Sequence, residues 1–394
     1  MRVNEPAVPP IVTAAWDAYG DHREVVEVRE LSANVSTNSV HMLILDDGHN
    51  VVAKRSSYGS YVHFRQDHYR IHEWIHRLRG TRYAAFLAPV LVKNGEVFTY
   101  REEGEWVVFY GQQPFYDFLP KVLSDRQIES FAEEMALFHR ECLDISDRVR
   151  PTWQSLGADV ASLHDAIGSV EWRNERGFSN SSVGFVRAHC DAFLGNADDL
   201  GYHEWTKIPV LIDWNLGNFS VGFDGEGFKF FSRWDYDWFR IEPRMLDLYF
   251  CARVVRAEGD QETFSYTVDP LFEERFMKFL RTYHRILPLK KEELLFLKEA
   301  YRFFILNYVL RVGEHFFQPD ICHRLQQEAI EDNLPQLELV SFEPLLDVLL
   351  NRKPHCDPDR GSRVGLGGDR LRNVSRDDPR CLDHQISRFG ERIA

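Results

Sequence analysis

"VLIDWNLGNFSVGF", residues 210–223, sets an acid and an amide, Asp213 and Asn218, between two apolar runs. Such side chains are rare in so apolar a segment unless a partner or a chemical task holds them there. The first run reads as a strand ending at Leu211–Ile212. Residues 213–218 read as a loop, and a second strand carries Phe219 to Phe223. Asp224–Gly225 turns the chain, and "EGFKFFSRWDYDWF" (226–239) returns with Trp234 and Asp235. An antiparallel pairing puts Asp213, Asn218 and Asp235 near one end of a hairpin. Two carboxylates and an amide oxygen are hard donors, which suit Mg²⁺ held jointly with substrate phosphates.

Upstream, three β-rich stretches, "EVVEVREL" (24–31), "SVHMLILDD" (39–47) and "NVVAKRS" (50–56), are punctuated by the turn Asp46–Asp47–Gly48. Lys54 ends the apolar run "VVAK", where a compact cation can pair with phosphate. A helix follows, with Phe64, Ile71, Ile75 and Leu78 at helical spacing and Gly80 as its stop. "APVLVKNGEVFTYREEGEWVVFYG" (88–111) adds two or three strands. From about 112 the pattern turns helical: "DRQIESFAEEMALFHREC" (125–142) lines up Ile128, Phe131, Met135 and Phe138 on one face. Helical stretches dominate again from 270 to 350.

Bulk properties narrow the class. A chain of 394 residues exceeds one typical core, so two lobes are expected. The composition, 44% apolar and 13% aromatic, supports a sizeable core. A net charge of −14 disfavours nucleic acid and anionic membranes as partners and favours neutral or cationic ligands. "ELLFLKEAYRFFILNYVLRV" carries Lys298, Glu299 and Arg302 in its middle and reads as a buried core helix, not a membrane span. The start has no basic region ahead of a long apolar run, and six scattered cysteines include no CxxC; a cytoplasmic protein with reduced thiols is expected. His355, Cys356, Cys381 and His384 fit no compact zinc spacing. Residues 351–394, rich in Arg, Asp, Gly and Pro, read as a flexible tail.

Base, metal ligands and strand lysine are the parts of a phosphoryl-transfer site. Here the chain resembles the superfamily of aminoglycoside phosphotransferases, choline kinases and homoserine kinases, over about residues 12–255. The family's catalytic loop reads roughly H-G-D-x-x-x-x-N, matched by "LIDWNLGN". Its metal segment reads roughly I-D-W and then D-P-x-x-D-L, matched by "RWDYDWFRIEPRMLDL". "FAEEMALFHRE" is similar to the family helix ending in Leu-His, here with His139. The resemblance implies Asp213 as catalytic base, Asn218 and Asp235 as Mg²⁺ ligands, and Asp247 as a structural acid. It also implies a nucleotide loop at 33–38 with Ser36, Thr37 and Asn38 as donors, and Lys54 on the nucleotide. Leu211 and Ile212 stand where the family has His and Gly, the His being used there to hold the loop. The partner acid of Lys54 stays open between Glu73 and Asp67.

The expected fold is α+β and protein-kinase-like in two lobes. The small β-rich lobe spans 12–109, the larger, mostly helical lobe 110–350. ATP would lie between them, its adenine bonded to backbone near Phe109 to Gly111. The expected reaction is Mg²⁺-dependent transfer of the γ-phosphoryl group to a hydroxyl of a small molecule. Glu258, Asp260, Glu262, Glu273 and Glu274 would form a wall suited to an amine-bearing alcohol or antibiotic. The alternative is a catalytically impaired kinase-like protein that binds nucleotide or a partner. Blander readings exist for each residue: Asp213 and Asn218 as turn formers, Lys54 as a solvated strand end beside Arg55, His139 as a packed helix residue. Asp235 is preferred to Asp237 on its interval to Asp247. Oligomeric state is not legible.

Overall fold

A computed structural model describes residues 9–32, 39–153, 155–176, 178–259 and 265–350. Its first half is built on one sheet. β1 (Val25–Glu30), β2 (Ser39–Leu45) and β3 (Asn50–Ser56) follow one another antiparallel, β2 and β3 joined at Asp46–Asp47–Gly48. The helix α2 (Tyr61–Arg77) buries Ile71, Trp74 and Ile75. β4 (Val92–Lys93) and β5 (Glu96–Val97) form a small ribbon, and β6 (Thr99–Glu102) and β7 (Glu105–Gly111) complete the sheet in the order β1-β2-β3-β7-β6.

Strand alternation assigns the faces. Val51, Ala53, Val107 and Phe109 point to one side. There they meet Val12, Ala15 and Trp16 of a helix the sequence reading did not contain, α1 (Pro10–Tyr19). Trp16 sets its ring edge-on to Phe109 at 5.3 Å. The signals for α1 were present: Pro10 at the first helical position and Gly20 just past the end at φ +74°. Lys54, in register with Val108, is on the opposite face, toward the second half of the chain.

That second half is mostly helical. α3 (Asp125–Asp144) starts with a reciprocal cap, Ser124 and Gln127 each bonding the other's backbone N–H. Its predicted face, Ile128, Phe131, Met135 and Phe138, is fully buried. α4 (Leu156–Ala166), α5 (Val170–Arg176) and α6 (Asn180–Asp199) lead to β8 (Ile208–Val210). β9 (Phe219–Asp224) and β10 (Gly227–Arg233) form the expected hairpin, and β11 (Arg240–Glu242) returns to pair with β8. α7 (Met245–Val255), α8 (Glu274–Ile286), α9 (Lys291–Leu295) and α10 (Leu297–Phe304) follow, the last continuing as a π-helical turn at Ile305–Arg311. α11 (Pro319–Glu328) and shorter helical pieces reach Leu350.

The predicted core helix is buried through α10, where Arg302 pairs with Glu299 and, at 2.5 Å, with Glu338. No helix among the described residues is long and apolar enough to cross a membrane. Cys142, Cys190, Cys251 and Cys322 are free and buried. The four His and Cys positions near the C-terminus lie outside the described residues.

Candidate active site

The loop after β8 rests on an aromatic floor. Trp214 is fully buried and stacks on Phe230 at 5.4 Å, with Phe131, Phe138 and Phe219 around it. Truncating such a ring costs about 3–5 kcal/mol, so the loop is anchored by the residue next to Asp213. β8 ends at Val210, two residues earlier than expected. The Asp213 N–H donates to the Leu211 carbonyl at 2.7 Å across Ile212, whose φ is +61°. A one-residue hydrogen-bonded turn with positive φ at its centre is the rarer, strained γ-turn, and a β-branched residue makes it costlier. This is where the family pattern has Gly.

Asp247 holds the strained turn. Its Oδ1 accepts the Leu211 N–H at 3.0 Å and the Ile212 N–H at 2.6 Å. Its Oδ2 meets His139 Nε2 at 2.9 Å, and His139 Nδ1 meets the Tyr283 hydroxyl at 2.8 Å. His139 and Asp247 are wholly buried, and burial pushes the His139 pKa down despite Asp247. His139 is thus a packed helix residue with a second task, fixing the acid that braces the loop.

Asp213 Oδ1 accepts the Asn215 N–H at 3.1 Å. Burial, then the charge of Asp235, pushes its carboxyl up to about 7. Asn218 ends a 3₁₀ turn, and its carbonyl accepts the Trp234 N–H at 3.1 Å, which docks it beside Asp235.

Lys54 comes to the same place from 181 residues upstream. Its Nζ is 3.2 Å from Asp235 Oδ1 and closer still to Asp237 Oδ1. Burial pulls the Lys54 pKa down, but the two aspartates outweigh it and leave it well above its ordinary value. Neither candidate partner from the α2 segment pairs with it: Glu73 binds Arg77 and Asp67 binds Arg70, each at 3.3 Å. Asp235 and Asp237 do not continue the strand that precedes them. β10 stops at Arg233, Asp235 takes φ +71°, and its Oδ1 accepts the Asp237 N–H at 3.1 Å. Tyr58, after β3, reaches Asp237 at 3.5 Å and stacks on His315 at 5.0 Å, tying the two lobes.

Two of the backbone groups expected to meet a base, one each on Phe109 and Gly111, are already engaged. The Phe109 carbonyl accepts the Leu91 N–H and the Gly111 N–H donates to Pro89, both at 2.9 Å. Alternate residues of a strand point to one edge, and residues 89–91 cover that edge of β7. The chain leaves the sheet only at Gln112. Ser36, Thr37, Asn38, Asp260 and Glu262 lie outside the described residues. Glu273 accepts the Ala257 N–H at 2.6 Å and Glu274 pairs with Arg281, so these two acids do not form a free wall.

Among the described residues no three His, Cys, Asp or Glu side chains form a ready metal cage. One or two carboxylates and an amide beside a lysine fit instead a Mg²⁺ that brings phosphates as its other ligands. Sequence reasoning missed Arg233, whose only signal is a cation in an aromatic strand, "FKFFSRW".

No family model matches the chain, and neither does any curated protein sequence. Solved structures do. The gentamicin complex of aminoglycoside phosphotransferase APH(2'')-IIa superposes with a TM-score of 0.53 at 13% identity, covering 84% of this chain and 99% of that one. ADP-bound APH(2'')-Ib gives 0.52 at 13%, with 82% and 98% covered. A microcompartment-associated aminopropanol kinase gives 0.53 at 16%, with 81% and 94% covered. The chain therefore has the two-lobe, kinase-like fold found in small-molecule phosphotransferases, a β-rich lobe against a larger helical one.

Proposed function

We propose that the protein is an ATP- and Mg²⁺-dependent phosphotransferase that moves the γ-phosphoryl group to a hydroxyl of a small molecule. The observation that carries this is the meeting of Lys54 with Asp235 and Asp237, beside an Asp213 carboxyl pushed up to about 7. A base with a pKa near the working pH is the one best placed to take a hydroxyl proton.

In this reading, bound MgATP supplies the electrophilic phosphorus and the metal charge that offsets the developing negative charge. Asp213 accepts the acceptor's proton at Oδ2, since the Asn215 N–H occupies Oδ1 and fixes the carboxyl plane. Asn218 and Asp235 would hold the metal. Lys54 would pair with the phosphates, for which Ser36, Thr37 and Asn38 would be further donors. The backbone from Gln112 onward, rather than Phe109 or Gly111, meets the adenine. The first acceptor class to try is an amine-bearing alcohol or antibiotic. Support for it is the net charge of −14 and the fold shared with a gentamicin-binding enzyme and an aminopropanol kinase.

The test is a kinase screen over amino alcohols, aminoglycosides, peptide antibiotics and nucleosides. The expected result is Mg²⁺-dependent transfer to at least one. A thermal shift with MgATP but no transfer on the panel and no ATP hydrolysis would favour an impaired, nucleotide-binding protein. No MgATP binding would overturn both readings.

A further inference from the structure

Arg233 is the last residue of β10 and has no exposed surface. The strand does not reach it by simple alternation. Phe230 faces Val221 while Ser232 faces Ser220, so one extra residue, Phe231, bulges out between them. Bulges re-aim the side chains that follow, and this one turns Arg233 inward opposite Phe219. Glu134 of α3 takes the Phe230 N–H at 3.1 Å, and the Ser220 and Ser232 hydroxyls meet at 2.6 Å, so the bulge is held by built contacts. The Arg233 backbone is pinned as well: its N–H donates to Phe86 at 2.6 Å and its carbonyl accepts from Ala88 at 2.9 Å.

From this fixed point the guanidinium lies 4.7 Å from the centre of the Trp214 ring. Its Nη2 donates to the Asp213 carbonyl at 2.7 Å and lies 3.4 Å from the Asp235 carbonyl. Nε and Nη1 have no hydrogen-bond partner among the described residues. A buried cation with two nitrogens, three N–H groups in all, unpaired among the described residues is a poor way to fill a core. An apolar side chain would serve stability better at this position.

We infer that Arg233 is a positioning residue that ties the segment carrying the base to the segment carrying the metal ligand. The loop is then braced on two sides. Asp247 takes the N–H groups of Leu211 and Ile212, and Arg233 takes the carbonyl of Asp213. Position 211, where the family pattern has a loop-holding His, is Leu here, and the brace comes from the neighbouring strand instead. This inference rests on the phosphotransferase reading for its kinetic consequence but not for its structural one.

The experiment compares Arg233→Met and Arg233→Lys with wild type in three measurements: melting temperature, kcat and KM for ATP, and amide hydrogen exchange over 211–218. Met fills the space without unpaired N–H groups, so its melting temperature stays at or above wild type. Misplacing reacting groups costs about 10²-fold, so kcat falls by about that factor while KM for ATP changes less than about threefold. Exchange at 211–218 rises by about tenfold or more, as expected for a loop that has lost a brace. Lys can still donate to the Asp213 carbonyl and recovers about tenfold of the lost kcat. A Met variant with wild-type kcat, or with a kcat loss matched by a fall in melting temperature, overturns the inference. Unchanged exchange in the Met variant overturns it whatever the turnover. A wild type that transfers no phosphoryl group sinks the phosphotransferase reading, and the exchange result still decides Arg233.

Discussion

The sheet that delivers Lys54 and the loop that delivers Asp213 reach one place by opposite means. On the sheet side geometry is regular: Lys54 faces Val108 in an unbroken register, and alternation alone aims it. On the loop side little is regular. Ile212 and Asp235 both adopt positive φ, β10 is bulged, and an arginine is buried with N–H groups unpaired among the described residues. The cost of the site is therefore concentrated on the loop side. Strain of this kind amounts to about 1–3 kcal/mol per residue and persists only where the surroundings impose it. At Ile212 the His139–Asp247 pair imposes it.

Substitutions on each side test these roles. The largest effect is expected from Asp213→Asn, which should lower kcat by about 10³-fold while MgATP affinity stays within about threefold, because a general base meets the acceptor and not the nucleotide. Steady-state kinetics with calorimetry check this, and near-normal turnover would remove Asp213 from its role. Next comes Asp235→Ala, with a loss of about 10²-fold and a raised Mg²⁺ requirement, against a smaller loss for Asp237→Ala. The asymmetry follows from Asn218, which is docked beside Asp235, and from the Asp235 charge acting on Asp213. A Mg²⁺ titration of both variants decides it; if Asp237→Ala is the crippled one, the two acids exchange roles.

Asp247→Ala tests the brace itself. It leaves two backbone N–H groups and His139 without their buried acceptor and should destabilise by about 3 kcal/mol, read by chemical denaturation. A loss below about 1 kcal/mol would mean that the turn at Ile212 needs no support. The pH dependence follows from the raised carboxyl. Asp213 must be ionised to accept a proton, so acceptor kcat/KM should fall as pH drops through about 7. Saturating Mg²⁺ on Asp235 removes part of the repulsion and should move that midpoint lower. A profile flat from pH 8 to about 5 would contradict the base assignment. The smallest effect is expected from deleting residues 356–394, whose composition is too poor in apolar residues to join a core. Melting temperature and turnover should be unchanged, and a large drop in either would show the segment packed on the rest of the chain.

Local patterns made much of this legible. The hairpin around 219–233, the β2–β3 turn and the apolar face of α3 all follow from short-range periodicity and turn chemistry. The order Lys54, Asp213, Asn218, Asp235 was legible because each residue type is unusual where it stands. The misses share a cause. Whether Phe109 and Gly111 are free depends on residues 89–91 docking along β7, which no strand pattern reveals. The partners of Lys54 lie 181 and 183 residues away, beyond any helix-spacing argument. Arg233 was missed because a bulge reverses the side its position in the strand would predict.

The ion pairs of Lys54 also set how the resting cleft looks to a passing ion. Below pH 7, with Asp213 mostly protonated, two cations, Lys54 and Arg233, stand against two carboxylates, Asp235 and Asp237. Lys54 thus offsets part of the charge of Asp235 and Asp237, so a bare divalent cation finds a weakened field drawing it in. Full attraction returns only when an anionic partner draws the lysine away from its aspartates. The arrangement thus favours a metal that arrives already bound to an anionic group over one that arrives alone, and it keeps the carboxylates covered in the resting cleft.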